Sequence, residues 1–165
     1  MELWDAYDRN GNRLPQTIVR GEPMERDVYH LVSCVVVRHT DGDFLILRRS
    51  PQKENYPNIL EIGVGGCALQ GEDAKTCARR ELYEETGILC DDLQYTGCYV
   101  DDGSHTIYEG FLCLTDMNKA HVRLMPEENS DYYWYSKEEF LDFFRSSECL
   151  DRFKRRLKDF VAGIS

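Results

Sequence analysis

Three glutamates lie close together in the middle of the chain, within the run Arg-Glu-Leu-Tyr-Glu-Glu-Thr-Gly-Ile at residues 80–88. In a helix, the offsets of Glu81, Glu84 and Glu85 place the three carboxylates on adjacent parts of one face. Carboxylates this close repel each other and resist full ionisation, and a bound multivalent cation removes that penalty. The cluster therefore predicts a metal site, and its oxygen ligands favour a hard cation such as Mg²⁺ or Mn²⁺.

The residues before this cluster extend a pattern of fixed spacing. Five residues separate Gly66 from Glu72, and seven separate Glu72 from Arg80. The run 66–88 resembles the Nudix box, which continues after that arginine with Glu, an apolar residue, any residue, Glu-Glu, any residue, Gly and an apolar residue. The chain meets the whole pattern at Gly66, Glu72, Arg80, Glu81, Leu82, Glu84, Glu85, Gly87 and Ile88. Fixed identities at fixed spacing make this motif more specific than a lone glycine motif.

The resemblance implies a pyrophosphohydrolase, a metal-dependent hydrolase of a diphosphate linkage in a nucleoside diphosphate derivative or a similar small molecule. The expected metal ligands are three carboxylates and one backbone carbonyl, those of Glu81, Glu84, Glu85 and Gly66. The ion neutralises the diphosphate and lowers the pKa of a water molecule that attacks phosphorus. A carboxylate accepts the proton of that water, and Glu81 and Glu128 are the candidates.

Arg80 and the loop acids have supporting roles in this interpretation. Arg80 is expected to orient Glu72 and Glu81 by charge-assisted hydrogen bonds rather than to contact the substrate. Glu127 and Glu128 belong to a predicted loop, and loop acids at this place serve as the general base in some Nudix enzymes. A solvated turn is the alternative for either residue alone.

Four charged residues outside the motif are further candidates. Glu109 shares one face of an alternating strand with apolar residues, so it is either a paired core charge or a site residue. We favour the site, and the resemblance agrees, because a strand acid near this position helps to bind metal in related subgroups. Arg48, Arg49 and Lys53 end a strand and begin the next loop, where a guanidinium can hold a diphosphate bidentately. A solvated positive patch is an equal alternative for these three.

The motif also organises a predicted helix. Asp73 is the predicted N-cap, and Gly87 can end the helix in a left-handed conformation. The buried stripe of this helix is expected to consist of Ala74, Cys77, Ala78 and Leu82. The glutamates are expected to lie off that stripe, where they do not support the core.

Weaker similarity extends over most of the chain to the Nudix subgroup related to isopentenyl-diphosphate isomerases. It rests on residues 4–8 with Gly11, residues 29–31 and residues 47–51. The isomerases depend on a catalytic cysteine and a metal-binding histidine shortly before the Glu72 position, and Gly65 and Cys67 occupy those two sites here. Isomerase activity is therefore disfavoured, and Cys67 is expected to be a neutral, packed thiol. A second alternative is a non-catalytic diphosphate-binding regulatory domain, which a degenerate motif would favour, but this motif is intact.

Composition limits the class of protein. The 165 residues suit a single domain, residues 1–165, with an N-terminal extension or hairpin at 1–28. A net charge of -10 argues against nucleic-acid binding as the main activity, and a small-molecule diphosphate is the expected partner. The sequence shows neither a signal pattern nor an apolar run long enough to span a bilayer, and its seven cysteines form no CxxC pair, so reduced thiols and a cytoplasmic location are expected. The oligomeric state stays open, and a homodimer is one option.

The remaining elements alternate between strands and helices. Strands are predicted at 2–7, 13–19, 30–38, 44–49, 60–66, 94–100, 106–115 and 132–135. A capping box at 136–139 precedes a short helix at 140–145, and an amphipathic helix follows from about residue 150 to residue 161. The aromatic run at 132–135 suits strand packing better than base stacking. Mixed strands with helices on both sides predict an α/β/α sandwich with a central mixed sheet, the architecture that the Nudix resemblance also implies.

Overall fold

The computed structural model describes all residues from Met1 to Ser165. The strands are β1 Leu3–Tyr7, β2 Arg13–Val19, β3 His30–His39, β4 Phe44–Arg49, β5 Leu60–Ile62, β6 Val64–Cys67, β7 Gln94–Asp101, β8 Thr106–Thr115 and β9 Asn129–Tyr135. The α-helices are α1 Ala74–Thr86, α2 Lys137–Arg145 and α3 Asp151–Ile164, and a short 3-10 helix covers Lys119–His121. None of the helices is long and apolar enough to cross a membrane.

Seven strands form one mixed sheet around β3. The order along the sheet is β5-β4-β3-β8-β7, while β6 pairs with β3 and β9 pairs with β4. The pairing of β3 with β8 is parallel, from His30 opposite Thr106 to His39 opposite Thr115, and the other pairs of this sheet are antiparallel. Strand β3 meets β4 only near its end, at Arg38 and Phe44, so the rest of β3 is free to pair with β6.

Successive residues of β3 face opposite layers, because side chains alternate along a strand. Val35 and Val37 pack against α1, in a core that includes Leu82. Val36 packs on the other side against α2 and α3, in a core that includes Phe140 and Phe153. Helices on both faces of one mixed sheet confirm the predicted α/β/α sandwich.

The chain begins with a separate antiparallel hairpin of β1 and β2. Tyr7 and Tyr29 exchange backbone hydrogen bonds of 2.9 Å, which joins the hairpin to the start of β3. The buried carboxylate of Asp5 accepts from Arg13 at 2.7 Å and from the backbone N–H of Gly71 at 2.8 Å. The hairpin therefore helps to hold the loop that leads into α1.

The strand predicted at 60–66 is divided into β5 and β6. Gly63 separates the two with a left-handed φ of 66°. A Cβ added at Gly63 would lie 1.8 Å from the carbonyl oxygen of Val35, so only glycine fits this bend against β3. The break lets the chain pass from the edge of β4 to the edge of β3, and it brings Gly66 under α1.

Candidate active site

Helix α1 is fixed at both ends by the predicted caps. Asp73 accepts from the backbone N–H of Thr76 at 2.7 Å, and Gly87 takes a left-handed conformation while its N–H donates to the carbonyl of Tyr83 at 2.8 Å. The buried residues of the helix include the predicted Cys77, Ala78 and Leu82. These contacts fix the rotation of α1 and thereby the direction in which its glutamates point.

Arg80 makes the contacts that the sequence predicted, and it has further partners in Glu84, the carbonyl of Cys67 and the sulfur of Cys77. Its Nε and Nη2 donate to the two carboxylate oxygens of Glu72 at 2.7 and 2.9 Å, a bidentate pair that lowers the pKa of Glu72. Its Nη1 donates to Glu81 at 2.7 Å and to Glu84 at 3.2 Å. Its Nη2 also donates to the backbone carbonyl of Cys67 at 3.0 Å. One guanidinium thus ties the loop before α1 to the carboxylates on the helix.

The carboxylate of Glu81 lies directly against Gly66. A Cβ on Gly66 would be 2.2 Å from the carboxyl carbon of Glu81, so this approach requires glycine. Burial raises the pKa of Glu81, and the charges of Glu84 and Glu128 raise it further, whereas Arg80 opposes the shift. Gly66 and the carboxylate of Glu81 are therefore in direct contact, while the backbone carbonyl of Gly66 accepts from the Sγ of Cys77 at 3.4 Å.

Glu85 is more deeply buried than the sequence predicted. Glu85 is only 7% exposed, whereas the side chain of Glu84 is 45% exposed. The glutamates were expected to lie off the buried stripe of α1; this is true of Glu84 and wrong for Glu85. Burial, with the nearby charge of Glu81, raises the pKa of Glu85 to about 8. The reason is that α1 turns Glu85 toward β9, where the side chain of Asn129 donates to its carboxylate at 2.8 Å.

Asn129 is a site residue that the sequence did not reveal. It is 1% exposed and lies at the start of β9, opposite Arg49 of β4. Its side-chain oxygen is buried without a hydrogen-bond partner, while its amide holds Glu85. Only the pairing of β9 with β4 brings this residue to α1, 44 positions earlier in the chain, so no local pattern marks it.

A cavity of about 830 Å³ opens beside these carboxylates. Gly66, Arg80, Glu81, Glu84 and Glu85 all line it, as do the predicted residues Arg49, Lys53 and Glu128. The backbone carbonyl of Glu128 accepts from the N–H of Ser50 at 2.8 Å, which fixes the loop before β9 next to the end of β4. The structure thus brings eight of the ten predicted site residues to one cavity.

The cationic residues after β4 differ in their placement. Lys53 forms an ion pair of 2.6 Å with Glu128. Arg49 donates to the carbonyl of Asn55 at 2.8 Å and lies 3.5 Å from Glu61. Arg48 does not line the cavity; it donates to the hydroxyl of Tyr133 and to the carbonyl of Asn58. Alternation along β4 directs neighbouring arginines to opposite faces of the sheet.

Glu109 also lies apart from the carboxylate cluster. It faces α1 from β8, between Ile107 and Phe111, and it does not line the cavity. Its carboxylate contacts Tyr95 and Cys98; burial raises the pKa of both groups, and the charge of Glu109 raises them further. One of its oxygens is buried without a partner. The structure therefore does not bring Glu109 together with the other predicted metal ligands.

Cys67 is a packed thiol beside the N-terminal hairpin. It packs against the apolar cluster of Trp4, Ala6, Ile18 and Val28. Burial raises the pKa of Cys67 to about 12, so the thiol is neutral at physiological pH, as expected. All seven cysteines of the chain are free.

The donor set suits a hard divalent cation. No group of three or more Asp, Glu, His or Cys side chains is already arranged as a set of metal ligands, and Arg80 holds Glu81 and Glu84. The half-buried carboxylate of Glu81 and the buried carboxylate of Glu85 are nevertheless neighbours, and burial raises the pKa of both. A cation would relieve both the repulsion and the loss of hydration, and oxygen-only donors favour Mg²⁺ or Mn²⁺.

Comparisons with known proteins agree with this architecture. Residues 28–157 match the NUDIX domain family. An uncharacterized Nudix hydrolase of Listeria monocytogenes is 34% identical over 151 residues, which are 89% of this chain and 86% of the relative. A crystal structure of a Deinococcus radiodurans protein superposes with a TM-score of 0.69 at 25% identity and covers 86% of this chain and 87% of that protein.

A mixed sheet between helices, with this motif on the loop and helix beside the sheet, defines a hydrolase of phosphorus anhydrides. The chain belongs to the Nudix hydrolase family, and it is an enzyme of the pyrophosphohydrolase type. Enzymes of this family generally use divalent metals such as Mg²⁺ or Mn²⁺. An NAD-capped RNA hydrolase of Pseudomonas putida is a more distant relative, 28% identical over 116 residues that are 70% of this chain and 40% of that enzyme.

Proposed function

We propose that the protein is a magnesium- or manganese-dependent hydrolase that cleaves a diphosphate linkage in a nucleoside diphosphate derivative or a similar small molecule. The observation that carries this proposal is a pair of neighbouring carboxylates at the wall of a cavity, those of the half-buried Glu81, which contacts Gly66, and of the buried Glu85. Buried, mutually repelling carboxylates are costly unless a cation binds them. The cavity is large enough for a small organic diphosphate.

The proposed ligands of the ion are the carboxylates of Glu81, Glu84 and Glu85 with the carbonyl of Gly66. When bound, the ion supplies the positive charge that neutralises the diphosphate and lowers the pKa of the attacking water. Arg80 positions Glu81 and does not need to contact the substrate. Glu109 is left out of this ligand set because it lies apart from the cavity.

Two carboxylates are placed to accept the proton of the attacking water. Burial raises the pKa of Glu81, which suits a group that accepts a proton. Glu128 lines the same cavity from the loop before β9 and is held by Lys53 at 2.6 Å. Arg49 and Lys53 are the proposed diphosphate contacts, since both line the cavity and Arg48 does not.

The similarity to an NAD-capped RNA hydrolase supports a nucleoside diphosphate derivative as the substrate class. The net charge of -10 favours a small molecule over a long nucleic acid, because a polyanion is repelled unless local cations offset the charge. The location in the cytoplasm stays a prediction, and the seven free cysteines support it.

A turnover screen tests the proposal. Purified protein is incubated with Mg²⁺ or Mn²⁺ and a panel of dinucleoside polyphosphates, nucleotide sugars, ADP-ribose, dinucleotides and prenyl diphosphates, and the phosphate and nucleotide products are measured. We expect metal-dependent cleavage of at least one diphosphate linkage, with no product when a chelator is present. Tight binding of panel compounds without any turnover would contradict hydrolysis and would favour a diphosphate-binding regulatory domain.

A further inference from the structure

The cavity extends beyond the carboxylates of α1 to a second region beneath α3, where its lining becomes basic and aromatic. We call this region the α3 end; it is lined by Arg49, Glu61, Tyr99, Tyr108, Arg152 and Arg156. Except for Arg49, none of these residues has a role in the proposed hydrolysis. None belongs to the run of motif residues at 66–88.

One carboxylate lies among the three arginines of the α3 end. Glu61 accepts from Arg152 at 3.2 Å and lies 3.5 Å from Arg49. Arg156 has no carboxylate partner, and it donates instead to the carbonyl of Arg152 at 3.2 Å and to the sulfur of Cys34 at 3.1 Å. Three guanidinium groups against one carboxylate leave a formal charge of +2 in this region.

This charge is partly withdrawn from water. The Nε of Arg152 is buried without a hydrogen-bond partner. Burial lowers the pKa of Arg152, and the neighbouring charges of Arg156 and Arg49 lower it further, whereas Glu61 opposes the shift. Placing more cations than carboxylates in such a position is unfavourable, and a bound anion would offset the cost. The chain has 30 acidic residues, yet only one of them is among the arginines here.

The two arginines of α3 are directed at the cavity by the register of the helix. Arg152 and Arg156 are one turn apart, next to Phe153 and Leu157, which are buried against the sheet. Arg155, between them in sequence, is exposed and lies outside the cavity lining. The sheet-facing side of an amphipathic helix normally carries apolar residues, so two arginines on this side depart from the pattern.

Aromatic rings hold the arginines in place and leave part of their donors free. The guanidinium of Arg156 lies 4.5 Å from the centroid of the Tyr108 ring, and the Tyr99 ring is 6.3 Å from that of Tyr108. The guanidinium of Arg152 lies 4.9 Å from the ring of Tyr56. Stacking on a ring fixes the plane of a guanidinium, so its edge can donate two parallel hydrogen bonds to a planar or tetrahedral anion.

We propose that the α3 end is a specificity subsite that holds a second anionic group of the substrate, a phosphate monoester or a carboxylate, on the moiety attached to the diphosphate. Arg152 and Arg156 donate to this group, and Tyr99 and Tyr108 form the wall beside it. The inference rests on the proposed function, because it assigns a substrate class to the same cavity. That class is a diphosphate with an additional negative charge remote from the bond that is cleaved.

Matched substrate pairs test the subsite. Coenzyme A and 3′-dephospho-coenzyme A differ by one phosphate monoester, and UDP-glucuronate and UDP-glucose differ by one carboxylate. We expect kcat/KM to be about tenfold or more higher for the anionic member of at least one pair, which is the effect of one good charge-assisted contact. The pair that shows the preference identifies the anion as a phosphate or a carboxylate.

Variants of α3 separate specific recognition from a general effect of charge. R152Q and R156Q are expected to reduce the ratio of kcat/KM between the anionic and the neutral member of the preferred pair toward one. R156K is expected to keep part of this preference because the charge remains. R155Q is the matched control, since it removes the same charge from the exposed side of the same helix, and it should keep the full preference. If R156Q melts well below the wild type, R152Q and R156K decide the result.

Two kinetic results would overturn the subsite: equal kcat/KM within both pairs for the wild type, or an equal loss on both members of the preferred pair in R152Q and R156Q. Binding of the same four compounds, measured by calorimetry in the presence of a chelator, makes the test independent of turnover. It is possible to test the subsite even if none of the four compounds is cleaved. In that case, tighter binding of the anionic member of a pair to the wild type, and loss of this preference in R156Q, would support the subsite although the proposed hydrolysis had failed. Equal binding in both pairs would then reject the subsite as well.

Discussion

At the scale of single residues, the charges around α1 determine what the site can do. One guanidinium, that of Arg80, donates hydrogen bonds to three carboxylates. Glu85 is not among them; it accepts a hydrogen bond from Asn129 and is available to bind a cation. The motif revealed Arg80 and the glutamates, because fixed spacing on a helix determines which side chains are neighbours. It did not reveal that Glu85 is buried, because burial depends on a strand that lies 44 residues further along the chain.

The planar fork of Arg80 is a feature that lysine cannot replace. Arg80→Lys keeps the positive charge but loses the bidentate pair with Glu72 and at least one of the contacts to Glu81 and Glu84. We expect kcat to fall by about tenfold or more and the melting temperature to fall by a few degrees, since more than one charge-assisted hydrogen bond is lost. Steady-state kinetics and calorimetry measure both effects. Arg79→Lys on the same helix is the control, and equal behaviour of the two variants would show that Arg80 does not orient the site.

The raised pKa of Glu85 predicts how the stability of the metal-free protein depends on pH. Because the pKa rises from 4.5 unfolded to about 8 folded, the folded state binds a proton more tightly. The stabilisation from Glu85 is therefore complete below about pH 4.5, and it is lost as the pH rises toward 8. With a chelator present, we expect Glu85→Gln to melt at a higher temperature than the wild type at pH 8. We expect this difference in melting temperature to be smaller at pH 5. A difference that does not change with pH would contradict the assigned environment.

At the scale of elements, the sequence predicted most helices and strands but few of their contacts. The capping box at Ser136 and the bounds of β4 and β8 agree with the structure, because capping residues and alternating apolar positions are local signals. The break at Gly63 and the longer β9, which starts at Asn129 rather than Tyr132, depend on neighbouring strands. For the same reason, the sequence did not show that Glu109 faces α1 rather than the cavity, or that α3 contributes to the cavity.

The N-cap of α1 is expected to support both the stability of the helix and the placement of its glutamates. Asp73→Ala removes the acceptor for the N–H of Thr76, and such a loss typically costs about 1 kcal/mol. For a chain of this size, the melting temperature should fall by roughly 2–4 °C. Asp159→Ala, on the exposed side of α3, removes the same charge without a cap and should not lower the melting temperature, because alanine is the better helix former. Equal shifts in the two variants would show that the cap contributes nothing.

At the scale of the whole molecule, the fold places opposite charges at the two ends of one cavity. Strand β6 and helix α1 bring the carboxylates, the loop before β9 brings Glu128, and α3 brings Arg152 and Arg156. The net charge of -10 gives no hint of this division, because composition does not report position. A cation bound by the carboxylates would make both ends of the cavity attractive to a diphosphate.

The assignment of the α1 carboxylates as the metal site is tested most directly by enzyme turnover. The turnover of the best diphosphate substrate is measured as a function of Mg²⁺ concentration for the wild type, Glu84→Gln and Glu85→Gln. Each substitution removes one proposed ligand charge with little change of shape. We predict that each variant loses at least about 100-fold in kcat/KM at limiting Mg²⁺, while its circular dichroism spectrum remains that of the wild type. Glu138→Gln, at the exposed start of α2, should keep wild-type turnover. Wild-type turnover by both Glu84→Gln and Glu85→Gln at limiting Mg²⁺ would contradict the assignment of these carboxylates as the metal site.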